Sequence, residues 1–455
     1  MPLISINPAT GRLLRRYPAQ TPREAAEAAA RAGAAFREWR RQTFAARARH
    51  LRAVAGVLRR ERDTHARLIT AEMGKPITQA RAEIEKCALV CDHYARHAAS
   101  LLADERPAGA PPNSFVTCQP LGPVLAVMPW NFPYWQVFRA AAPALMAGNT
   151  MLLKHASNVC GCARAIAAVF RRAGVPAGVF QTVLVGSDQI PALIRHPAVR
   201  AVTLTGSTGA GREVAAVAGA ALKPCVLELG GSDPYVILGD ADLDLAAEVC
   251  ARARLVNSGQ SCIAAKRFIV VRAVRAAFER RLVARIAARR VGRPTDPAVA
   301  VGPLARADLR DELHRQVRRS LRRGARLLLG GRPRPGPGWF YELTVLTDVQ
   351  PGMPAFDEEL FGPVAAIVPV ADTAAALAAA NHTPFGLGAA VFTRSRRRGR
   401  RLATAELDAG LVFVNDSVRS DPSLPFGGIK DSGYGRELGP FGIREFVNIK
   451  TVVVV

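Results

Sequence analysis

A chain of 455 residues is too long for a single hydrophobic core and predicts two or three packed domains. Its 49% hydrophobic and 22% charged composition excludes disordered, collagen-like and fibrous classes. The formal charge of +25 raises a polyanionic partner, but only seven of the 62 basic residues are lysine and the arginines are scattered along helix-like segments. The densest run, Arg396, Arg397, Arg398, Arg400 and Arg401, has no interleaved aromatics and reads as a solvated face, so no nucleic-acid partner is expected.

The N-terminal MPLISINPATG lacks a basic segment followed by an apolar one, and every apolar run is broken short of a bilayer's width. A soluble cytoplasmic protein with no membrane partner is the expectation. Eight cysteines without repeated spacing read as reduced thiols. Cys87 with Cys91, and Cys160 with Cys162, lack the second Cys/His pair of a zinc site and read as packing residues, so no metal is expected.

In chain order, Thr21-Pro22-Arg23-Glu24 spells a capping box opening the first helix, and alanine-rich amphipathic helices follow to about residue 104. Gly and Pro between Ala108 and Pro112 break the pattern, and Ser114 to Gln119 alternates as a half-exposed strand. From residue 124, short runs apolar on both faces alternate with helical stretches: Val124–Met128, Thr150–Lys154, Phe180–Val185, Ala201–Thr205 and Cys225–Leu229. One of the intervening helices is Val159–Ala173, with Gly174 as its C-cap. This rhythm predicts a doubly wound parallel sheet, whose ligands bind at the carboxyl ends of its strands. A second α/β stretch runs from about 232 to 430, and Asn448 to Val455 reads as a last strand whose apolar edge predicts a partner, expected from a second subunit.

The segments after the strands carry the chemistry: Pro129-Trp130-Asn131-Phe132-Pro133, Thr205-Gly206-Ser207-Thr208-Gly209, Glu228-Leu229-Gly230-Gly231, Asn257-Ser-Gly-Gln-Ser-Cys262 and Glu359-Leu-Phe361-Gly-Pro363. Cys262 sits in a small polar turn, where a thiolate would be a competent nucleophile toward a carbonyl, although a lone cysteine is more often inert filler. Glu228 ends an apolar strand, which predicts a raised proton affinity. By itself it is as readily an ion-paired structural acid. Gly206-Ser207 ends a strand and opens a helix, so its amides face a ligand, but it is not the Gly-x-Gly-x-x-Gly fingerprint.

Five such motifs in this order resemble the aldehyde dehydrogenase superfamily, from about residue 7 to the C-terminus. The resemblance implies a Rossmann-like cofactor domain at 1–105 and 121–231, an α/β catalytic domain at 232–430, and oligomerisation strands at 106–120 and 440–455 of a homodimer or homotetramer. It implies Cys262 as nucleophile, Glu228 as general base and Asn131, with the Cys262 amide, as oxyanion donor. Gly206 and Ser207 would hold the pyrophosphate, and Trp130, Leu229, Glu359 and Phe361 the nicotinamide half. Where many NAD-preferring members carry Glu three residues after the lysine at 154, this chain has Ser157. Lys154 and Ser157 therefore suit a 2′-phosphate, and NADP is expected, with NAD as the alternative.

The segments Lys-His-Ala-Ser-Asn, Glu-Leu-Gly-Gly-Ser-Asp-Pro and Ser-Cys-Ile-Ala-Ala-Lys-Arg are closer to bacterial succinate-semialdehyde dehydrogenases than to other branches. Arg139 resembles the arginine that meets the substrate carboxylate there, and is equally readable as a surface arginine. Two residues depart from that pattern. Val256 stands where relatives carry a second arginine, and Asp421 where they have serine, an acid that Arg419 or Arg139 would have to mask. Ala264 replaces a second cysteine, so no disulfide gating of Cys262 is expected. The alternative reading is a dehydrogenase for another small aliphatic or carboxylated aldehyde.

Overall fold

In the computed structural model, which describes residues 2–455, Thr21 caps the helix Pro22–Trp39 through the reciprocal capping box with Glu24. Helices Phe44–Arg60, Arg62–Met73 and Ile77–Leu101 follow. Ile84, Val90 and Tyr94 share one core with helix Trp135–Ala147, which is buried along its whole length. No helix among the described residues is long and apolar enough to cross a membrane.

The five apolar runs form one parallel sheet, as Pro123–Met128, Thr150–His155, Phe180–Val183, Ala201–Thr205 and Cys225–Glu228. The chain enters in the middle at Pro123–Met128 and winds outward through Thr150–His155 to Phe180–Val183. It then returns to the other side of the first strand with Ala201–Thr205, and Cys225–Glu228 lies beyond. Winding therefore reverses between the first and fourth runs, and the crevice beyond their carboxyl ends is where such a sheet takes a ligand. Gly433–Tyr434 joins antiparallel at the Cys225 edge.

Two strands end earlier than their apolar runs suggest, because the next amides leave the ladder. Leu184 N–H donates to Gln20 Oε1 (2.7 Å), and Leu229 N–H to the Ser432 carbonyl (3.0 Å). The helix read at 159–173 is a 3-10 turn, Ser157–Val159, running into Cys160–Arg172, with Gly174 at φ +72° beyond its end.

A second, seven-stranded sheet is ordered Arg326–Leu329, Thr344–Thr347, Val364–Val370, Arg267–Val271, Pro234–Ile237, Gly388–Phe392 and Leu411–Val414. All its neighbours are parallel except the Arg326 strand. Alternate residues feed opposite cores: Tyr235, Ile237 and Phe268 on one face, Val236 and Ile269 on the other.

The C-terminal strand, Val447–Val453, finds its first partner within its own chain, where a second subunit was expected to supply one. It pairs antiparallel with Ser114–Pro120 of its own chain in an unbroken register from Val447↔Pro120 to Val453↔Ser114. The two alternating segments satisfy each other's facing backbone groups, while Ile449 and Val453 stay exposed. Cys87, Cys91 and Cys162 lie in the helical core and Cys160 is buried beside it. Among the described residues no group of three or more His, Cys, Asp or Glu could hold a metal ion.

Candidate active site

The crevice at the winding reversal is a cavity of about 350 Å³ lined by Trp130, Asn131, Gly206, Ser207, Leu229, Cys262, Glu359 and Phe361. Ser207 is the N-cap of helix Thr208–Ala220, its hydroxyl accepting from the Ala210 amide, so the positive end of that helix opens on the cavity. Leu229 lies flat against this helix at Gly211, where an added Cβ would come within 2.6 Å of the leucine methyls. The Trp130 and Phe361 rings meet edge to face at 5.7 Å. A helix N-terminus, apolar walls and the Glu359 carboxylate fit the pyrophosphate and nicotinamide half of a dinucleotide.

A second cavity of about 340 Å³ opens on the other side of Cys262, lined among others by Lys86, Phe132, Trp135, Arg139, Arg252, Val256 and Arg419. Cys262 and Gln136 line both. A sulfur on the shared wall can meet one reactant from each side.

The loop that presents this sulfur is held in an unusual backbone. Asn257, Ser258 and Gly259 are consecutively left-handed, at φ +52°, +57° and +77°, which costs about 1–2 kcal/mol for each residue with a Cβ. Gly259 tolerates nothing larger, since a Cβ there would sit 2.2 Å from the Gly362 carbonyl. Hydrogen bonds offset the strain. Asn257 N–H donates to Gln79 Oε1 (2.7 Å), Asn257 Nδ2 to the Asn131 carbonyl (2.7 Å), and Arg254 Nη2 to the Gly259 carbonyl (2.6 Å). Beyond the sulfur, the buried Lys266 ammonium donates to the carbonyls of Ser261 (3.0 Å), Cys262 (2.7 Å) and Ala264 (3.4 Å) and lies 3.3 Å from Glu359 Oε1. Glu359 in turn accepts from the Gly231 amide, so the two cavity walls are tied together.

Asn131 is aimed by its neighbours. Gln136 Nε2 donates to its Oδ1 and its own Nδ2 donates to the Gln260 carbonyl, each at 3.1 Å, leaving the second amide proton to serve the cavity. Burial pushes the Cys262 thiol up to about 12, with Arg139 and Lys266 opposing. The polar turn read from the sequence therefore does not by itself yield a thiolate, and a base must take the proton. Burial also raises the Glu228 carboxyl well above the ordinary range, Arg139 opposing and Glu437 reinforcing. Glu228 lines neither cavity, and its two oxygens have no hydrogen-bond partner among the described residues.

Arg139 is buried rather than on the surface. It forms an ion pair with Glu437, reaches Thr205 Oγ1 at 3.4 Å and lies over the Phe426 ring. Lys154 is half-buried at the end of Thr150–His155, and Ser157, exposed, opens the next turn; neither lines the two cavities. Neither Arg419 nor Arg139 pairs with Asp421: the Ser423 amide (2.9 Å) and hydroxyl (2.6 Å) donate to it and hold it ionised, while Arg419 pairs with Asp416. An Asx turn outcompetes a long, exposed arginine because it costs little side-chain entropy.

Residues 2–452 match the sequence profile described as the aldehyde dehydrogenase family. The chain belongs to this family. A succinate semialdehyde dehydrogenase [NAD(P)+] of Escherichia coli (strain K12) is 49% identical over 99% of this chain and 97% of its own length. A succinate-semialdehyde dehydrogenase [NADP(+)] 1 of Mycobacterium tuberculosis (strain ATCC 25618 / H37Rv) is 50% identical over 99% of each chain. The crystal structure of succinic semialdehyde dehydrogenase from Streptococcus pyogenes in complex with NADP+ superposes with a TM-score of 0.96 at 35% identity, covering 99% of each chain.

Of the expected site residues, the fold brings Trp130, Asn131, Gly206, Ser207, Leu229, Cys262, Glu359 and Phe361 to one cavity in this aldehyde dehydrogenase and Arg139 to the adjoining one. Sequence reasoning missed Gln136, Arg254, Asn257, Lys266 and Lys86. A lysine four residues after the candidate nucleophile, beyond the apolar Ile263, Ala264 and Ala265, was a readable signal for Lys266. Lys86, inside a long helix, had none.

Proposed function

We propose that this protein oxidises succinate semialdehyde to succinate, preferring NADP, through a thioester on Cys262. The observation that carries the reading is the position of Cys262 on the wall shared by a cavity suited to a dinucleotide and a cavity rich in cations. The names of the relatives, and the NADP+ in the Streptococcus pyogenes enzyme, support it.

The chemistry starts from a protonated thiol. Glu228 acts as the base that takes this proton, its own affinity raised by the dry strand end it occupies. The sulfur bonds to the aldehyde carbon, and the negative charge that develops on oxygen is met by the free Asn131 amide proton and the Cys262 N–H. When bound, the nicotinamide supplies the acceptor for the hydride lost from that carbon. Glu228 passes the thiol proton to solvent and, again a carboxylate, takes a proton from water as the water oxygen adds to the thioester carbon. The C–S bond breaks, the carboxylate product leaves, and the thiolate regains a proton from Glu228. Gly206 and Ser207 hold the pyrophosphate, and Trp130, Leu229, Glu359 and Phe361 the nicotinamide half. Lys154 and Ser157 receive the 2′-phosphate, with a hydroxyl where a carboxylate would repel it. Arg139 contributes to carboxylate binding.

On this reading residues 1–105 and 121–231 form the cofactor domain and 232–430 the catalytic domain. Segments 106–120 and 440–455 form a ribbon whose exposed Ile449 and Val453 join a homodimer or homotetramer in the cytoplasm. The second reading is oxidation of another small aldehyde, favoured by Val256 lining the substrate cavity where a second arginine would strengthen a carboxylate site. Reduced-nicotinamide absorbance with succinic semialdehyde and butanal, each with NADP and with NAD, separates them. A higher kcat/KM for the carboxylated aldehyde with NADP is expected. Preference for butanal overturns the substrate, and no reduced cofactor from either overturns the activity.

A further inference from the structure

Four cations line the cavity on the substrate side of Cys262, and three of them already have carboxylate partners. Arg139 is paired with Glu437, and Arg252 and Arg419 share Asp416. Lys86 is the one without such a partner among the described residues. It extends from helix Ile77–Leu101, donates to Ser420 Oγ at 2.7 Å and stands 4.3 Å from the centroid of the Trp135 ring. Glu83, the acidic side chain of this lining, is spent on Lys75 and on the amides of Tyr134 and Trp135. Arg252 and Arg419 share one carboxylate between them but are largely exposed, so solvent screens the charge left over there; the uncompensated charge that is shielded from solvent is at Lys86.

A half-buried ammonium with no counter-ion is costly, and aromatic and hydroxyl contacts offset only part of that cost. Of its three N–H donors one goes to Ser420, which leaves two for a group arriving through the cavity, and the Ser420 hydroxyl keeps its own proton to donate beside them. Arg139 has less to offer a newcomer, because a fixed carboxylate already takes its charge.

We infer that Lys86, rather than Arg139, is the principal anchor for the carboxylate of the aldehyde substrate. The inference rests on the proposed carboxylated aldehyde. It also carries a pH signature. Burial, reinforced by Arg139, lowers the Lys86 ammonium to about 8, with Cys87, Asp421 and Glu83 acting the other way. Arg252 and Arg419 at the same cavity, and His93 beside Asp421, complete the charges around it. The anchor loses its charge as pH rises through about 8, and carboxylate binding weakens in that direction.

The test compares wild-type full-length enzyme with Lys86→Met and Lys86→Arg, on succinic semialdehyde and butanal, on both sides of that pH. Methionine fills a similar volume and removes a buried charge, which the fold tolerates. In Lys86→Met the ratio of KM for succinic semialdehyde to KM for butanal is expected to rise about 10- to 100-fold, the factor for one hydrogen bond to a charged group. The wild-type ratio climbs with pH and the Lys86→Arg ratio stays flat, because guanidinium does not titrate there. An unchanged ratio in Lys86→Met, or an undiminished pH dependence in Lys86→Arg, overturns the inference. Should the wild-type enzyme prefer butanal, the proposed substrate fails, and Lys86 is judged by succinate as a competitive inhibitor of butanal oxidation. Weaker inhibition in Lys86→Met then upholds the anchor, and equal inhibition removes it.

Discussion

Replacing Lys266 by methionine would separate what holds the fold from what aims the sulfur. The lysine is fully buried, and its ammonium serves three carbonyls of the Cys262 loop and Glu359. Methionine preserves length and volume and deletes every donor. Each carbonyl left short costs about 1–3 kcal/mol. Removing a desolvated ammonium returns several kcal/mol, so the two effects oppose each other and the net loss of stability is about 1–3 kcal/mol. That shifts thermal unfolding by only a few degrees. No such cancellation protects geometry, because the carbonyl of Cys262 loses its 2.7 Å tether and Glu359 its cation. A displacement of about 1 Å at the reacting atom costs roughly 100-fold in rate. The expected outcome is a variant that melts within a few degrees of wild type while kcat/KM falls about 100-fold, read by scanning calorimetry and steady-state kinetics on the same preparation. A kcat/KM within about threefold of wild type would refute the argument that Lys266 aims the loop.

Cys262→Ala should abolish turnover while NADP still quenches tryptophan fluorescence, since Trp130 lines the cofactor cavity; residual oxidation would remove the thioester route. Ser157→Glu adds a like charge beside the expected 2′-phosphate, worth about 1–4 kcal/mol near a protein surface, and should move the ratio of kcat/KM values from NADP toward NAD by at least tenfold. An unchanged ratio puts discrimination elsewhere. Burial keeps the Glu228 carboxyl protonated above the ordinary carboxylate range, so its basic form grows as pH rises and kcat/KM should climb along that limb. In Glu228→Gln the rate should fall about 100-fold or more and the limb disappear; a variant that keeps the limb assigns it to another group.

The parallel sheet was legible because its strands are buried on both faces and so carry unbroken apolar runs, and the candidate site was legible because it hangs from the ends of those runs. Strand-end geometry said where Asn131, Gly206 and Leu229 would gather, and the resemblance of their motifs to a known family said which of them to name. The partner of Val447–Val453 was not legible, since Ser114–Pro120 comes from far away in the chain and alternation says that a strand needs a neighbour without saying which. Charged residues were the hardest. Before burial is known, a lysine in a helix reads as a solvated face, which hid Lys86, and an aspartate in a loop reads as needing an arginine, whereas Asp421 takes its hydrogen bonds from Ser423. Arg139 and Lys86 bring the difference to a point. A motif singled out the first and nothing singled out the second, yet availability to a ligand depends on which charges are already matched. Glu437, almost 300 residues further along the chain, forms an ion pair with Arg139, whereas Asp421 and Glu83 act on Lys86 only from beyond ion-pair distance. Charge compensation is a property of the folded neighbourhood, so a reading of local pattern finds where the chemistry lies before it finds which cation is free to take part.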